Sequence, residues 1–155
     1  MNGMAGSTFE APGTDNGARK VARYGISPYF DFDEGDIELD GAGRVQMADA
    51  RESWLMWCVK SVLTERGAYM AYSDNIGTDM RWALEQGERE AQQEAMINAI
   101  TDALLADPAG RTLAVNGFGF TWSEDSVRVS FALTGADGYQ GSVEAGLGAD
   151  GLRAR

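Results

Sequence analysis

Apolar residues recur at helical spacing through the middle of this 155-residue chain. Between Ala50 and Leu63 they fall three or four positions apart, as in a helix with one buried face. Asp49 precedes this stretch, and its carboxylate can cap the free amides of the first turn. A short helix is predicted to start at Thr78 or Asp79, and a longer one to cover about residues 88–106.

Alternation of apolar and polar residues predicts strands on either side of these helices. Residues 36–40 and 44–47 alternate around a glycine-containing turn, which is typical of a β-hairpin. In the last third, residues 113–122 and 127–133 alternate clearly and residues 139–143 more weakly, which predicts an antiparallel meander. The apolar faces within the first of these strands are out of phase by one residue, so we expect a bulge at Asn116-Gly117.

The order of elements is therefore hairpin, helix, a short strand over residues 68–72, two helices and the meander. Segregated helices and mainly antiparallel strands define an α+β domain. We expect one such domain over residues 23–155, after a flexible N-terminal arm over residues 1–22 that is rich in small residues and has no hydrophobic period. The Gly- and Ala-rich sequence after Glu144 is expected to fray.

Charge and composition exclude several classes of function. The formal net charge of -11 gives a surface that repels phosphate, so nucleic acid is not an expected partner. The chain has no apolar run of membrane-spanning length and no secretory signal pattern, so we expect a soluble protein made in a cytoplasm, with no membrane partner. The absence of histidine removes the usual general base and the usual zinc ligand. The lone cysteine, Cys58, lies in the helical apolar pattern and is expected in the core.

Two acidic constellations invite a chemical interpretation. The tract over residues 31–40 does not match a calcium-binding EF-hand loop, because glycine and aspartate stand where a ligand and the invariant glycine are needed. Glu65, Asp74 and Asp79 flank aromatic residues that could stack on sugar, as in a glycosidase. However, Arg66 beside Glu65 favours the charged carboxylate over the protonated acid that such chemistry requires. We therefore predict no catalytic, metal or cofactor-binding residues.

Four motifs in sequence order carry a resemblance to a known family. They are the acidic Gly-Asp-x-x-Leu-Asp hairpin of residues 35–40, the Trp-x-x-Trp-Cys segment of residues 54–58, Leu-Thr-Glu-Arg at residues 63–66, and Tyr72-Ser73 followed by Gly77. Together, over roughly residues 28–135, they resemble XkdS-like prophage tail proteins. More distantly, they are similar to the lysozyme-like wedge proteins, or sheath initiators, of contractile-tail baseplates.

The resemblance implies a small structural α+β protein present in about six copies around a central hub, in a ring of repeated copies of one chain. Such proteins join the baseplate wedge to the hub and offer a sheet edge to the first ring of tail sheath. In these relatives an acid-arginine pair near a helix end packs into neighbouring wedge proteins. By motif, that role falls on Glu65 and Arg66. Whether these two residues pair with each other or with partners across the interface stays open at this point.

The sequence thus predicts a non-enzymatic component of a phage or phage-like baseplate, assembled in the bacterial host cytoplasm. Its partners would be wedge, hub and tail sheath proteins, and no cofactor is implied. The residues expected to bind partners lie in the segment after the first helix and in the C-terminal strands: Glu65, Arg66, Tyr69, Tyr72, Val127, Val129, Phe131 and Tyr139. The alternatives are a peptidoglycan-cleaving hydrolase of the tail tip and a small host-encoded acidic adaptor.

Overall fold

The computed structural model describes residues 25–71 and 76–148, and the backbone of residues 151–154. In these ranges the chain forms short N-terminal strands, then helices, then a long antiparallel sheet, which confirms the α+β class. The elements are β1 (Ser27–Pro28), β2 (Phe30–Asp31), β3 (Asp36–Ile37), β4 (Met47–Ala48), α1 (Ala50–Leu63), α2 (Met80–Leu84), α3 (Arg89–Leu105), β5 (Thr112–Trp122), β6 (Ser126–Gly135), β7 (Gln140–Gly148) and β8 (Gly151–Ala154).

Helix α1 begins and ends where the apolar pattern predicts. Its first turn is closed by a capping box, in which the Asp49 carboxylate accepts hydrogen bonds from the amides of Arg51 and Glu52, both at 2.8 Å. The Glu52 carboxylate in turn accepts from the Asp49 amide at 2.8 Å. Two otherwise unpaired amides at the helix start are thereby satisfied by the Asp49 side chain alone. The predicted start of α2 is confirmed to within two residues, and both predicted ends of α3 are confirmed to within one residue.

The C-terminal sheet has the strand order β5-β6-β7-β8, with each neighbouring pair antiparallel. The predicted bulge is confirmed, because the β5–β6 register shifts between Asn116 and Gly119 while Gly117 adopts a φ of 66°. The prediction that the chain frays after Glu144 is wrong. Strand β7 continues to Gly148, because its alternation of buried residues persists through the small side chain of Ala145, and β8 then pairs with it.

The predicted N-terminal hairpin forms, but its strands are held partly by a third segment. Leu39 lies opposite Val45, and the Asp40 amide donates to the Arg44 carbonyl at 2.7 Å. Beyond this short ladder the two arms separate, since β3 pairs with β2 and β4 pairs with β1. The N-terminal segment, residues 27–31, thus lies across the base of the hairpin.

The core lies between the helices and one face of the sheet. Strand β6 alternates strictly between exposed and buried positions over its first six residues, and its buried side chains join those of α1 and α3. Cys58 is in this core as expected, and burial raises the pKa of its thiol to about 12. The buried Thr112 hydroxyl accepts a hydrogen bond from the Trp54 indole Nε1 at 3.0 Å. Among the described residues, no helix is both long and apolar enough to span a bilayer.

Candidate docking site

The segment that leaves α1 and the segment that enters α2 run side by side. The Thr78 amide donates to the Thr64 carbonyl at 2.8 Å, and the Arg66 amide donates to the Thr78 carbonyl at 3.0 Å. These bonds make a parallel bridge between Glu65 and Thr78. The fully buried Thr78 hydroxyl also donates to the Val62 carbonyl at 3.0 Å, near the C-terminal end of α1. We call residues 64–66 and 77–79 the joint.

Gly77 permits the two segments of the joint to approach this closely. Its φ is 105°, a conformation that side-chain-bearing residues rarely adopt. A Cβ atom at this position would lie 2.7 Å from the Thr64 carbonyl oxygen and 3.1 Å from the Arg66 Cα. The glycine noted in the sequence motif is therefore required by the backbone geometry of the joint.

Arg66 pairs with Asp79 rather than with its sequence neighbour Glu65. The Arg66 Nε lies 3.6 Å from the Asp79 Oδ2, and both side chains are substantially exposed to solvent. Asp79 makes no side-chain capping bond to α2, although it stands at the N-cap position. An exposed pair of this length contributes little to stability, at most about 1 kcal/mol. The Arg66 Nη2 also donates a long hydrogen bond of 3.5 Å to the Gly77 carbonyl, so the side chain is held near the surface by two weak contacts.

Glu65 and Tyr69 border an open groove of about 620 Å³ between the joint, α2 and the end of β7. Glu65 is half-buried, and its carboxylate makes no ion pair within the described ranges. The Tyr69 side chain is 60% exposed. The predicted strand over residues 68–72 is wrong for residues 68–71, which form turns, because the joint's backbone bonds close this segment into a loop. Tyr72, the fourth residue predicted to bind here, lies outside the described residues.

Strand β6 carries three of the predicted partner-binding residues, but it is an interior strand. It pairs with β5 on one side and β7 on the other, so its backbone offers no open edge. The side chains of Val127, Val129 and Phe131 are no more than 2% exposed and belong to the core. The regular alternation of these residues reflects their burial in the core. They can affect partner binding only through the strands that they support.

Tyr139 also packs within the domain. Its ring lies edge-on to Trp54 with a centroid distance of 6.3 Å, and the Arg51 guanidinium carbon lies 4.7 Å from the ring centroid. Arg51 is itself held by Asp137, whose carboxylate Oδ2 is 3.2 Å from the Arg51 Nε. Tyr139 therefore fastens the β6–β7 turn to the first turn of α1.

The sheet does offer edges, on strands that the sequence interpretation did not select. Strand β5 lies at one end of the sheet order and pairs only with β6 in the part of the chain that the structure describes. At the other end, β8 covers β7 from Ala145 onward and leaves the first half of β7 without a described neighbour on the side away from β6. The long alternating run of β5 was visible in the sequence, but its position at an edge follows only from the strand order.

Metal and carboxylate chemistry gain no support from the geometry. No group of three or more Cys, Asp or Glu side chains able to hold a metal ion occurs in residues 25–71 and 76–148. Of the three carboxylates considered for sugar hydrolysis, Asp79 is engaged by Arg66 and Asp74 lies outside the described residues.

Comparison with known proteins identifies the family. Pairwise comparison with curated proteins gives no match. The sequence profile of the contractile injection system sheath initiators matches residues 27–138, well over half of the chain and including the hairpin, the joint and strands β5 and β6. The resemblance seen in the sequence motifs is thereby confirmed, and the chain belongs to the contractile injection system sheath initiator family.

Proposed function

We propose that this chain links the wedge and hub proteins of a contractile-tail baseplate to the first ring of sheath subunits. By resemblance to the baseplate wedge proteins, about six copies would surround the hub in a closed ring. The membership in the sheath initiator family supports a structural role connected with the sheath. A peptidoglycan hydrolase is not supported by that family description. The particle would be a phage tail or a phage-like tail assembled in the bacterial cytoplasm.

The observation that carries this proposal is the long edge strand β5. It spans 11 residues and has a paired neighbour on one side only within the described ranges. Unpaired N–H and C=O groups on such an edge are a template for a strand from another chain. A sheath arm that adds to β5 would extend the four-stranded sheet without any change in the core.

The joint is the proposed contact with wedge proteins. Glu65 has no ion-pair partner among the described residues, and Arg66 is held only loosely, by an exposed pair with Asp79 and by a long hydrogen bond of 3.5 Å from its Nη2 to the Gly77 carbonyl. An arginine placed in this way can turn to a carboxylate or carbonyl of a neighbouring chain with little cost to its own fold. The exposed ring of Tyr69 adds the type of side chain that is enriched at interfaces. Tyr72 remains part of this proposal on its sequence position.

An assembly assay tests the role in sheath initiation and the joint as the wedge contact. The gene is deleted from a strain that makes the particle, and the strain is complemented with the unchanged chain, with Arg66→Ala or with Arg128→Ala. Arg128 is a matched control, because it also forms an exposed ion pair, with Glu144 at 2.9 Å. We expect the deletion to abolish sheathed particles, and the unchanged chain and Arg128→Ala to restore them. Arg66→Ala should be folded but reduce their number at least about tenfold, as expected for a lost interface arginine.

Two results would contradict the proposal. Normal sheaths in the deletion strain would exclude a role in sheath initiation. Equal assembly with Arg66→Ala and Arg128→Ala would exclude the joint as the wedge contact, and an unfolded Arg66→Ala monomer would make Arg66 a structural residue instead.

A further inference from the structure

The hairpin over residues 36–48 exposes an apolar face. Ile37, Leu39, Val45 and Met47 are 43%, 56%, 47% and 51% exposed, and none belongs to the hydrophobic core. Leu39 lies opposite Val45, and side chains two residues apart on a strand share a face, so all four lie on the same side of the hairpin. A contiguous exposed apolar patch of this kind marks an interaction surface more often than a free surface.

This face continues onto the body of the domain. Pro28 pairs with Met47, and Phe30 pairs with Ile37, so both residues extend the same side. Pro28 and Phe30 also line a groove of about 660 Å³ between the N-terminal segment and α1. Trp57 and Met56 of α1 line the opposite part of that groove. The apolar surface therefore runs from the projecting hairpin into a recess on the domain.

The hairpin is ordered by its own hydrogen bonds. The Asp40 carboxylate accepts from the amides of Ala42 and Arg44, both at 2.9 Å, and from the Arg44 Nε at 3.0 Å. These hydrogen bonds lower the pKa of the Asp40 carboxyl, and the bond from the Arg44 amide has the largest effect. At the base, the Ser27 amide donates to the Ser53 Oγ of α1 at 3.1 Å. An arm held in this way loses little conformational entropy when a partner covers its apolar face.

Charge indicates the kind of partner. Residues 31–40 contain six carboxylates and no basic residue, and Asp36 and Glu38 lie on the reverse face of the hairpin, where Asp40 is already paired with Arg44. A second copy of the chain would bring the same carboxylates together, and like charges across an interface oppose association. Residues 1–24 contain few large apolar side chains with which to cover the patch. A different protein with basic residues beside an apolar groove would complement both the apolar face and the acidic reverse face of the hairpin.

We propose that the hairpin over residues 36–48 is a second docking arm, separate from the joint and from the sheet edge. Its apolar face is buried in a groove of a different protein of the particle, and Lys or Arg residues at the rim of that groove pair with its acidic reverse face. The inference rests on the proposed place of the chain in a contractile particle.

The test measures incorporation of hairpin variants into particles. The deletion strain is complemented with the unchanged chain, with the double variant Leu39→Ser and Val45→Ser, or with Leu105→Ser. Leu105 is a matched control, since it is 48% exposed at the end of α3.

Each buried apolar side chain contributes about tenfold to affinity, so the double variant should be incorporated at least about tenfold less than the unchanged chain. Leu105→Ser should be incorporated normally, and all variants should keep the thermal midpoint of the unchanged chain to within a few degrees, because the changed residues lie outside the core.

A photo-crosslinking amino acid at position 39, in assembled particles, identifies the occupant of the apolar face. A crosslink to a different chain, at a peptide with apolar and basic residues, supports the proposal. A crosslink to another copy of this chain or to its own residues 1–24 overturns it. Incorporation of the double variant equal to that of the unchanged chain overturns the hairpin inference alone. Failure of the unchanged chain to restore sheathed particles overturns the proposed function and, with it, this inference.

Discussion

Gly77 and Thr78 fix the geometry of the joint at the scale of single residues. The fully buried Thr78 hydroxyl bonds to the end of α1, and Gly77 allows the backbone to pass within contact distance of Thr64. The half-buried Glu65 and the exposed Arg66 are presented from this fixed backbone. The surface chemistry of the joint therefore depends on a buried threonine and on the absence of a side chain beside it.

Gly77→Ala should destabilise the fold by about 2–4 kcal/mol, because alanine meets both a strained positive φ and a clash with the Thr64 carbonyl oxygen. Gly67→Ala is the matched control. Its φ of 73° is also positive, but nothing lies within 4 Å of an added Cβ, so it should cost only roughly 1 kcal/mol. Urea unfolding of both variants measures the difference. Equal losses of unfolding free energy would show that the close approach at Gly77 does not contribute.

The ion-pair partner of Arg66 could not be predicted from the sequence. Glu65 and Arg66 are adjacent in the chain, which made them the obvious pair. No ion pair joins Glu65 to Arg66 among the described residues, however. Asp79 becomes the partner of Arg66 because the joint brings residues 66 and 79 together. Such a contact follows from tertiary structure and has no local signal.

At the scale of elements, strong local signals were sufficient. The capping residue Asp49 and the apolar stripe predicted α1 at its observed bounds, and the phase change in β5 predicted its bulge. Where the local sequence pattern was weak, the predicted structure was wrong. Strand β8 consists of a few residues that pair because β7 is beside them, and residues 68–71 turn because the joint closes them. In both places tertiary contacts override the local preference.

The capping box of α1 makes a prediction at this scale. Asp49→Ala removes the acceptor of two amide hydrogen bonds and should lower the unfolding free energy by about 1 kcal/mol. Glu88→Ala is the control, because Glu88 stands at the N-cap of α3 without a side-chain capping bond, and its replacement should change stability by no more than about 0.5 kcal/mol. Thermal or urea unfolding provides the comparison. A loss for Glu88→Ala as large as that for Asp49→Ala would contradict the assigned role of the cap.

At the scale of the whole molecule, one core supports three accessible features. Helices cover one face of the sheet, while the β5 edge, the joint and the hairpin remain available to other chains. The net charge of -11 opposes association between free copies, so assembly depends on partners that complement these surfaces. The sequence predicted the fold class and, by resemblance, the family, but the identity of the open edge required the strand order.

The central claim is that a sheath strand adds to the edge of β5. An electron cryomicroscopy map of the extended particle at side-chain resolution tests it most directly. We expect a strand from the first sheath ring beside Thr112–Trp122, at the spacing of about 4.8 Å that hydrogen-bonded strands adopt. A map in which β5 faces solvent or a non-sheath chain, with the sheath attached elsewhere, would contradict the account.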